Sequence, residues 1–170
     1  MIKGNIINKL FASGPLFLLY YLSISEVDSN LEKLFEVFSL NLQIIIIYFW
    51  IIKRPNLMGP GHIFLAGMIN DVVMGFPLGI SSLSYLVTCF VGNYVRNKSV
   101  NTTIASDWFT FLIALILTNL LFFSLLNNFS DVAISYAKIG YNTFFTLFLF
   151  PVFWLLFNLY QMSFIGSQDA

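Results

Sequence analysis

Six apolar blocks divide the chain, and charged or turn-forming residues separate them. Hydrophobic residues run continuously through each block instead of alternating with polar ones, which is typical of buried or membrane helices and not of a transmembrane barrel. A helix needs about 20 residues to cross a hydrocarbon core of about 30 Å, so the third and fourth blocks are short for a span. We expect these two to form a tight hairpin in locally thinned lipid, or to lengthen into their flanks. The blocks cover about residues 10–25, 37–52, 62–76, 80–95, 108–126 and 139–160.

The composition places these helices in a membrane. Of the 170 residues, 58% are hydrophobic and only 9% are charged, whereas a soluble domain carries about 25% charged residues. The mean hydropathy is +0.83. Because so few charges cannot cover a water-facing surface, most of the surface must contact lipid. We therefore predict an all-α polytopic membrane protein in which residues 1–170 form a single transmembrane domain of about six helices.

The basic residues predict the orientation. Cytoplasmic loops carry an excess of Lys and Arg. With the N-terminus in the cytoplasm, six basic residues fall inside and only Lys33 and Lys138 fall outside, so both termini are predicted to be cytoplasmic. Trp50, Trp108 and Trp154 then lie toward the cytoplasmic ends of their helices, where an interfacial belt is expected. The six inner basic residues are Lys3, Lys9, Lys53, Arg54, Arg96 and Lys98.

The sequence lacks the residues that nucleic-acid binding, cysteine-based metal binding and the common catalytic motifs require. Eight basic and eight acidic residues give no net charge, which offers little support for nucleic-acid binding. Cys89 is the single cysteine, so a disulfide within the chain and a cysteine metal cage are excluded. His62 is the single histidine and follows Gly59, Pro60 and Gly61; we expect it to cap the third helix rather than to bind a metal. With no nucleophile–histidine pair, zinc-protease motif or phosphate loop, we predict neither an enzyme nor a cofactor.

The third and fourth blocks carry the most informative polar pattern. Small residues four apart lie on one face of each predicted helix and let the two helices approach closely. Pro77 and Gly79 predict a tight turn between the blocks. We therefore predict a close hairpin with one carboxylate on its seam. The seam residues are Gly67, Asp71 and Gly75 on the third helix, with Ser84, Thr88 and Gly92 on the fourth.

Asp71 is the only acid well inside an apolar block. A charge at the bilayer centre costs about 2.5–3.5 kcal/mol on insertion scales, so the carboxylate needs a partner or water. We favour a structural role in packing, then a partner contact, then ion or proton chemistry; a hydrated carboxylate capping the Pro77 turn is the plainest alternative. A hydrogen-bonding strut predicts that Asp71→Asn preserves most function and that Asp71→Leu fails, whereas an ion site predicts that both fail.

Three further features are assigned to packing. Asn119 and Asn142 are predicted to form hydrogen bonds between helices. A small-residue face and a small core thiol complete this group. They are Thr110, Ala114 and Thr118 on the fifth helix, and Cys89 on the fourth.

A motif of about 40 residues extends over the second connection and the following hairpin. It consists of a proline-led loop, a span with a glycine four residues before an aspartate, a P-L-G turn and a span containing tyrosine. The residues are Pro55, Gly67, Asp71, Gly75, Pro77, Leu78, Gly79 and Tyr85. This motif resembles the signature of the rod shape-determining protein MreD family. Asn70 departs from it, because an apolar residue is expected beside the aspartate.

The resemblance implies a non-enzymatic scaffold of the bacterial inner membrane that helps control cell shape within the lateral wall-elongation machinery. The implied partners are the periplasmic scaffold protein MreC, the actin-like filament protein MreB and the wall-elongation synthase complex. The implied role of the motif residues is structural or partner-binding. The implied fold is similar to the S-components of energy-coupling-factor vitamin transporters.

Two other functions stay open. One is a solute-binding S-component itself, although its usual A-x-x-x-A face in the first helix is interrupted here because Leu16 lies four residues after Ala12. The other is a small ion- or proton-coupled carrier that uses Asp71, although no basic residue lies inside a predicted span to pair with it.

Overall fold

The computed structural model describes residues 13–25, 34–98, 103–129 and 136–165, with the backbone alone at 34–41, 136–139 and 164–165. Lys3, Lys9 and Lys33 of the predicted orientation and Ala12 of the first-helix face lie outside these ranges. The described residues form six α-helices and no strand, which confirms the all-α prediction, and each helix falls on one of the six apolar blocks. The helices are α1 (Gly14–Ile24), α2 (Leu34–Lys53), α3 (Pro60–Met74), α4 (Ile80–Lys98), α5 (Ile104–Phe129) and α6 (Tyr136–Tyr160), with a π-helical turn at Gln161–Ile165.

Two helices, α2 and α4, occupy the centre of the bundle. Helix α4 packs against α2, α3 and α5, while α2 packs against α1, α4 and α6. Contacts of α1 with α3 and of α5 with α6 complete the outer ring. From Gln43 to Ile51 no side chain of α2 exposes more than 2% of its surface. A helix that is apolar on every face is expected in such a central position.

The two central helices run in the same direction. Midway along α2, Gln43 Oε1 accepts a hydrogen bond from the hydroxyl of Tyr85, which lies in the first third of α4. Near their ends, a Cβ added to Gly92 of α4 would lie 2.9 Å from Ile51 Cγ2 of α2. Because both pairs advance together along the two chains, α2 and α4 are parallel. Helix α3 links α2 to α4 in the chain and runs antiparallel to both of them. It follows the short connection 54–59 and precedes the turn 75–79.

An aromatic cluster joins α2, α5 and α6. Phe111 stacks on Phe150 with ring centroids 4.1 Å apart. Trp50 is fully buried and Trp154 is 8% exposed. Only Trp108, at 43% exposure, has the surface position of an interfacial belt. The predicted belt is therefore wrong for two of the three tryptophans, because their large rings fill the space between α2 and α6.

Apolar side chains also cover the outside of the bundle. Two segments, Ile104–Phe129 and Gly140–Ser163, are long and apolar enough to cross a membrane, and Gly14–Ile24 and Leu42–Lys53 are shorter apolar helices. Helix α3 has only 15 residues, in agreement with the short third block. Large exposed hydrophobic side chains include Phe17 and Tyr21 on α1, Leu65 and Val72 on α3, Phe90 on α4, Phe109 and Leu120 on α5, and Phe144 and Phe148 on α6.

Candidate functional site

The carboxylate of Asp71 caps the N-terminus of α4. Asp71 is fully buried near the end of α3. Its Oδ2 accepts the backbone N–H of Gly79 at 2.8 Å, and its Oδ1 accepts the backbone N–H of Ser81 at 2.8 Å. These N–H groups lie at the start of a helix, where they have no partner within the helix. A carboxylate there satisfies two donors and interacts favourably with the positive end of the helix dipole.

Two glycines shape the turn that brings Asp71 to α4. Gly75 ends α3 in the left-handed conformation with φ 67°, and Gly79 has φ 105°. The backbone N–H of Phe76 donates to the carbonyl of Asp71 at 2.9 Å, so Asp71 holds the turn through its backbone and its side chain. Pro77 lies between the two glycines. The predicted tight turn is confirmed, and Gly75 serves it as a helix C-cap.

Gly67 brings the backbones of α3 and α4 into contact. A Cβ at Gly67 would lie within 2.6 Å of the backbone nitrogen of Ser82. The hydroxyl of Ser82 donates to the carbonyl of Phe64 at 3.1 Å across the same contact. The predicted close hairpin is therefore confirmed.

The residues of α4 on this seam differ from the prediction. Gly67 meets Ser81 and Ser82. Thr88 instead bonds Thr118 of α5 at 2.7 Å, and Gly92 faces α2. Because α4 is central and has three neighbours, its small residues serve several contacts rather than one. Ser84 bonds the carbonyl of Ile80 in its own helix.

A buried polar network extends from Asp71's neighbour Asn70 through the first four helices. Asn70 Nδ2 donates to Ser81 Oγ at 3.0 Å. Gln43 Nε2 reaches Asn70 Oδ1 at 3.4 Å and Ser23 Oγ at 3.2 Å. Gln43 Oε1 accepts from Tyr85. All five side chains are buried. Asn70, where the resemblance predicts an apolar residue, therefore connects α3 to both central helices.

A second acid, Asp107, is buried at the opposite end of the bundle. Its Oδ2 accepts Trp154 Nε1–H at 3.1 Å and lies 3.8 Å from Lys53 Nζ. Lys53 Nζ also lies 5.4 Å from the centroid of the Trp154 ring, a cation–π distance. The sequence interpretation missed this cluster, because Asp107 directly precedes the fifth apolar block and resembles a boundary charge. The predicted topology places Lys53 and Asp107 on the same side of the membrane, and this placement could have indicated the ion pair.

Most of the packing predictions are confirmed. Asn119 Nδ2 donates to Thr143 Oγ1 at 2.9 Å, which joins α5 to α6. Thr110 bonds the Tyr48 hydroxyl at 2.5 Å, so the small-residue face of α5 contacts α2 as well as α4. Cys89 is buried in the core. Asn142 differs, since its Oδ1 is buried without a hydrogen-bond partner in the described part of the chain.

The prediction for His62 is wrong. Helix α3 has Gly59 as its N-cap, with no capping bond from a side chain. The imidazole instead reaches α1, where His62 Nδ1 and the Tyr20 hydroxyl lie 3.1 Å apart. Pro60 occupies the first position of α3 and has no backbone N–H. One of the donors that a capping side chain would accept is therefore missing.

The motif residues divide between two places. Pro55 lies in the connection that leads into α3, and every other motif residue lies in the α3–α4 hairpin or its turn. Leu78 is exposed at the tip of that turn. Comparison of the chain with protein-family models, with curated proteins and with solved structures gives no match.

Proposed function

We propose that this chain is a six-span protein of the bacterial inner membrane with both termini in the cytoplasm. We further propose that it is a non-enzymatic scaffold of the lateral wall-elongation machinery and controls cell shape by binding partner proteins. The partners are MreC, MreB and the wall-elongation synthase complex. The motif resemblance supports the machinery and the partners, and the contacts within the hairpin support the mode of action.

The exterior of the bundle supports the membrane location. Exposed hydrophobic side chains occur on α1, α3, α4, α5 and α6, so much of the outside of the described bundle is apolar. Patches much larger than a few hundred Å² are rare on soluble monomers. Helix α3 has defined ends at Gly59 and Gly75, and its 15 residues measure about 22 Å. It would therefore require thinner lipid than α5 or α6.

The capping of α4 by Asp71 is the observation that supports scaffolding best. Both carboxylate oxygens accept backbone N–H groups, so the most distinctive group of the motif fixes the geometry of the α3–α4 hairpin. A rigid hairpin presents its outward side chains in constant positions. Val72 on α3 and Phe90 on α4 are 67% and 73% exposed. We propose that this outer surface of the hairpin contacts a partner helix in the membrane plane.

Reporter fusions test the predicted topology. Fusions at Glu32 and at the C-terminus should report opposite sides of the membrane, because six spans place only the first of these sites outside. A cytoplasmic reporter such as a fluorescent protein, paired with a periplasmic phosphatase, distinguishes the two. The same side for both fusions contradicts the six-span topology.

Partner capture tests the scaffold. Tagged protein co-expressed with MreC should retain it on purification. Phe90→Ala should lower the amount retained severalfold, while Phe144→Ala, on α6 with a similar exposure of 71%, should not. Equal effects at equal membrane levels contradict the proposed surface. A purified sample that holds a vitamin stoichiometrically would favour the transporter S-component instead.

A further inference from the structure

Pro151 lies inside α6 and deprives one carbonyl of that helix of its usual partner. In an α-helix the carbonyl of residue 147 accepts the N–H of residue 151, and proline has no N–H. The indole of Trp108 on α5 takes this place, because its Nε1–H donates to the carbonyl of Leu147 at 2.9 Å. A bond from the neighbouring helix therefore replaces the bond that the proline removes.

The preceding residue, Asp107, holds α6 on the other side of the proline. Its Oδ2 accepts Trp154 Nε1–H at 3.1 Å. Leu147 precedes Pro151 by four residues and Trp154 follows it by three, so two consecutive residues of α5 hold points about 10 Å apart along α6. Sharp helix bends occur mostly at prolines. The two contacts therefore fix the angle between the two halves of α6.

The contact at Asp107 is the more easily opened of the two. Asp107 Oδ1 is buried and has no hydrogen-bond partner in the described part of the chain. Lys53 Nζ lies 3.8 Å from Oδ2, which is too far for a hydrogen bond. A buried oxygen without a donor is costly, and separation of Asp107 from Trp154 would let water reach it. Separation of Trp108 from Leu147 brings no such gain, because it leaves a carbonyl without a donor in an apolar surrounding.

The ring contacts between α6 and α2 allow such a movement. Phe157 lies after the proline, and its ring is tilted by about 50° against the rings of Phe49 and Trp50 on α2. Contacts between apolar rings are not directional, so these rings can slide without losing a hydrogen bond. The half of α6 after the proline can therefore move away from α5 while it stays on α2.

We propose that α6 is hinged at Pro151, and that Asp107 and Trp108 form a clamp that holds the hinge closed. When Asp107 releases Trp154, residues 152–160 swing away from α5, while the first half of α6 stays in place. Helix α6 packs on α2 and α5. In the topology proposed above, the moving end faces the cytoplasm, so the clamp changes the surface on that side of the membrane.

Thermal unfolding of the purified full chain tests the contact at Trp108. Trp108→Phe removes the donor and keeps a ring, so the Tm should fall by about 3–6 °C. In a Pro151→Ala background the alanine N–H supplies the missing bond, and the same substitution should lower the Tm by no more than about 1–2 °C. Trp154→Phe is the matched control, because its acceptor is a carboxylate and its loss should be equal in both backgrounds. The size of the first loss rests on the proposed membrane location, since water would otherwise replace the indole.

Distances between spin labels, measured by double electron–electron resonance, test the hinge. Labels on exposed positions of α4 and α6 report each half of α6 separately, in a Cys89→Ala background that removes the native thiol. A bend of about 20° moves a label eight residues beyond the proline by about 4 Å. Trp154→Phe should add such a displaced population to the pair after the proline and leave the other pair unchanged. The pairs are Tyr94 with Leu159 after the proline, and Leu83 with Phe144 before it.

The opposite results overturn the proposal. Equal losses of Tm for Trp108→Phe in both backgrounds would show that the indole does not serve the carbonyl freed by the proline. A displaced population in both label pairs, or in neither, would reject a hinge at Pro151. If Pro151→Ala does not fold, the label pairs in the Trp154→Phe protein decide alone. A failed clamp with the topology reporters on opposite sides rejects the hinge and leaves the six-span proposal intact.

Discussion

The α3–α4 and α5–α6 hairpins are built by different means. Helices α3 and α4 have 15 and 19 residues, and their backbones touch at Gly67. Helices α5 and α6 have 26 and 25 residues and meet through side chains. Phe111 stacks on Phe150, and the indole of Trp108 donates to the carbonyl of Leu147 at 2.9 Å.

This difference explains why all of the motif residues except Pro55 lie in one hairpin. A backbone contact admits only glycine, left-handed turn positions favour glycine, and a cap for two N–H groups requires a side chain with two acceptors. Such positions tolerate few residues. Contacts between large apolar side chains can be made by many combinations of similar volume. The α5–α6 hairpin therefore appears in the sequence only as hydropathy.

Gly67→Leu should produce the largest effect. The added side chain would push against the backbone of Ser82, which cannot move unless the helices separate. Overpacking typically costs about 1–3 kcal/mol and more where the surroundings cannot yield. We expect almost no folded protein, measured as the monodisperse fraction extracted from membranes. Gly140→Leu on α6 is the control, because no atom lies within 4 Å of a Cβ at Gly140. Similar yields of the two variants would show that the seam is not close-packed.

Substitution of Asp71 should have the next largest effect. Leucine leaves the N–H groups of Gly79 and Ser81 unpaired, and each buried donor costs about 1–3 kcal/mol, so the free energy of unfolding should fall by about 2–6 kcal/mol. Asparagine can accept one N–H, but its amide donor then faces the other, so about half the loss is expected. From the sequence we expected Asp71→Asn to preserve most function. From the geometry we instead expect a loss of stability between those of the wild type and Asp71→Leu.

Denaturant or thermal unfolding of purified Asp71 variants, together with cell shape, separates the strut from an ion site. A strut predicts that stability falls from wild type to Asn to Leu. Under the scaffold function proposed above, cell shape should follow the amount of folded protein. Rounded cells with both variants, at normal protein levels and with normal MreC capture, would show that the charge itself is required.

The hairpin and its turn could be predicted from the sequence, but the helix neighbours could not. Gly67, Asp71 and the P-L-G turn have local geometric requirements, so they indicate a close hairpin without further information. Thr88 and Gly92 identify a face of α4 that can pack closely. They do not identify the helix that packs against this face. Because α4 has three neighbours, the contacts are decided by the packing of the whole bundle.

Buried polar and aromatic residues show the same limit. Asp107 lies at a block boundary, where a charge is equally compatible with water and with the Lys53 contact that the structure shows. Trp154 has an apolar ring and one donor, so it can serve an interface or a core; the core position is decided by the carboxylate that accepts its N–H. Neither choice depends on residues nearby in the sequence.

Asn119→Leu in the α5–α6 hairpin should have the smallest effect. The substitution removes the hydrogen bond from Asn119 Nδ2 to Thr143 Oγ1, while Thr143 keeps a further interaction. Hydrogen bonds between membrane helices average about 0.6 kcal/mol, and leucine has a volume suited to this buried position. For a chain of this size, a loss of about 0.6 kcal/mol lowers the Tm by about 1–2 °C. Thermal unfolding in detergent measures the shift beside that of Asp71→Leu. A loss at Asn119 as large as that at Asp71 would show that polar contacts specify both hairpins, and the contrast between them would fail.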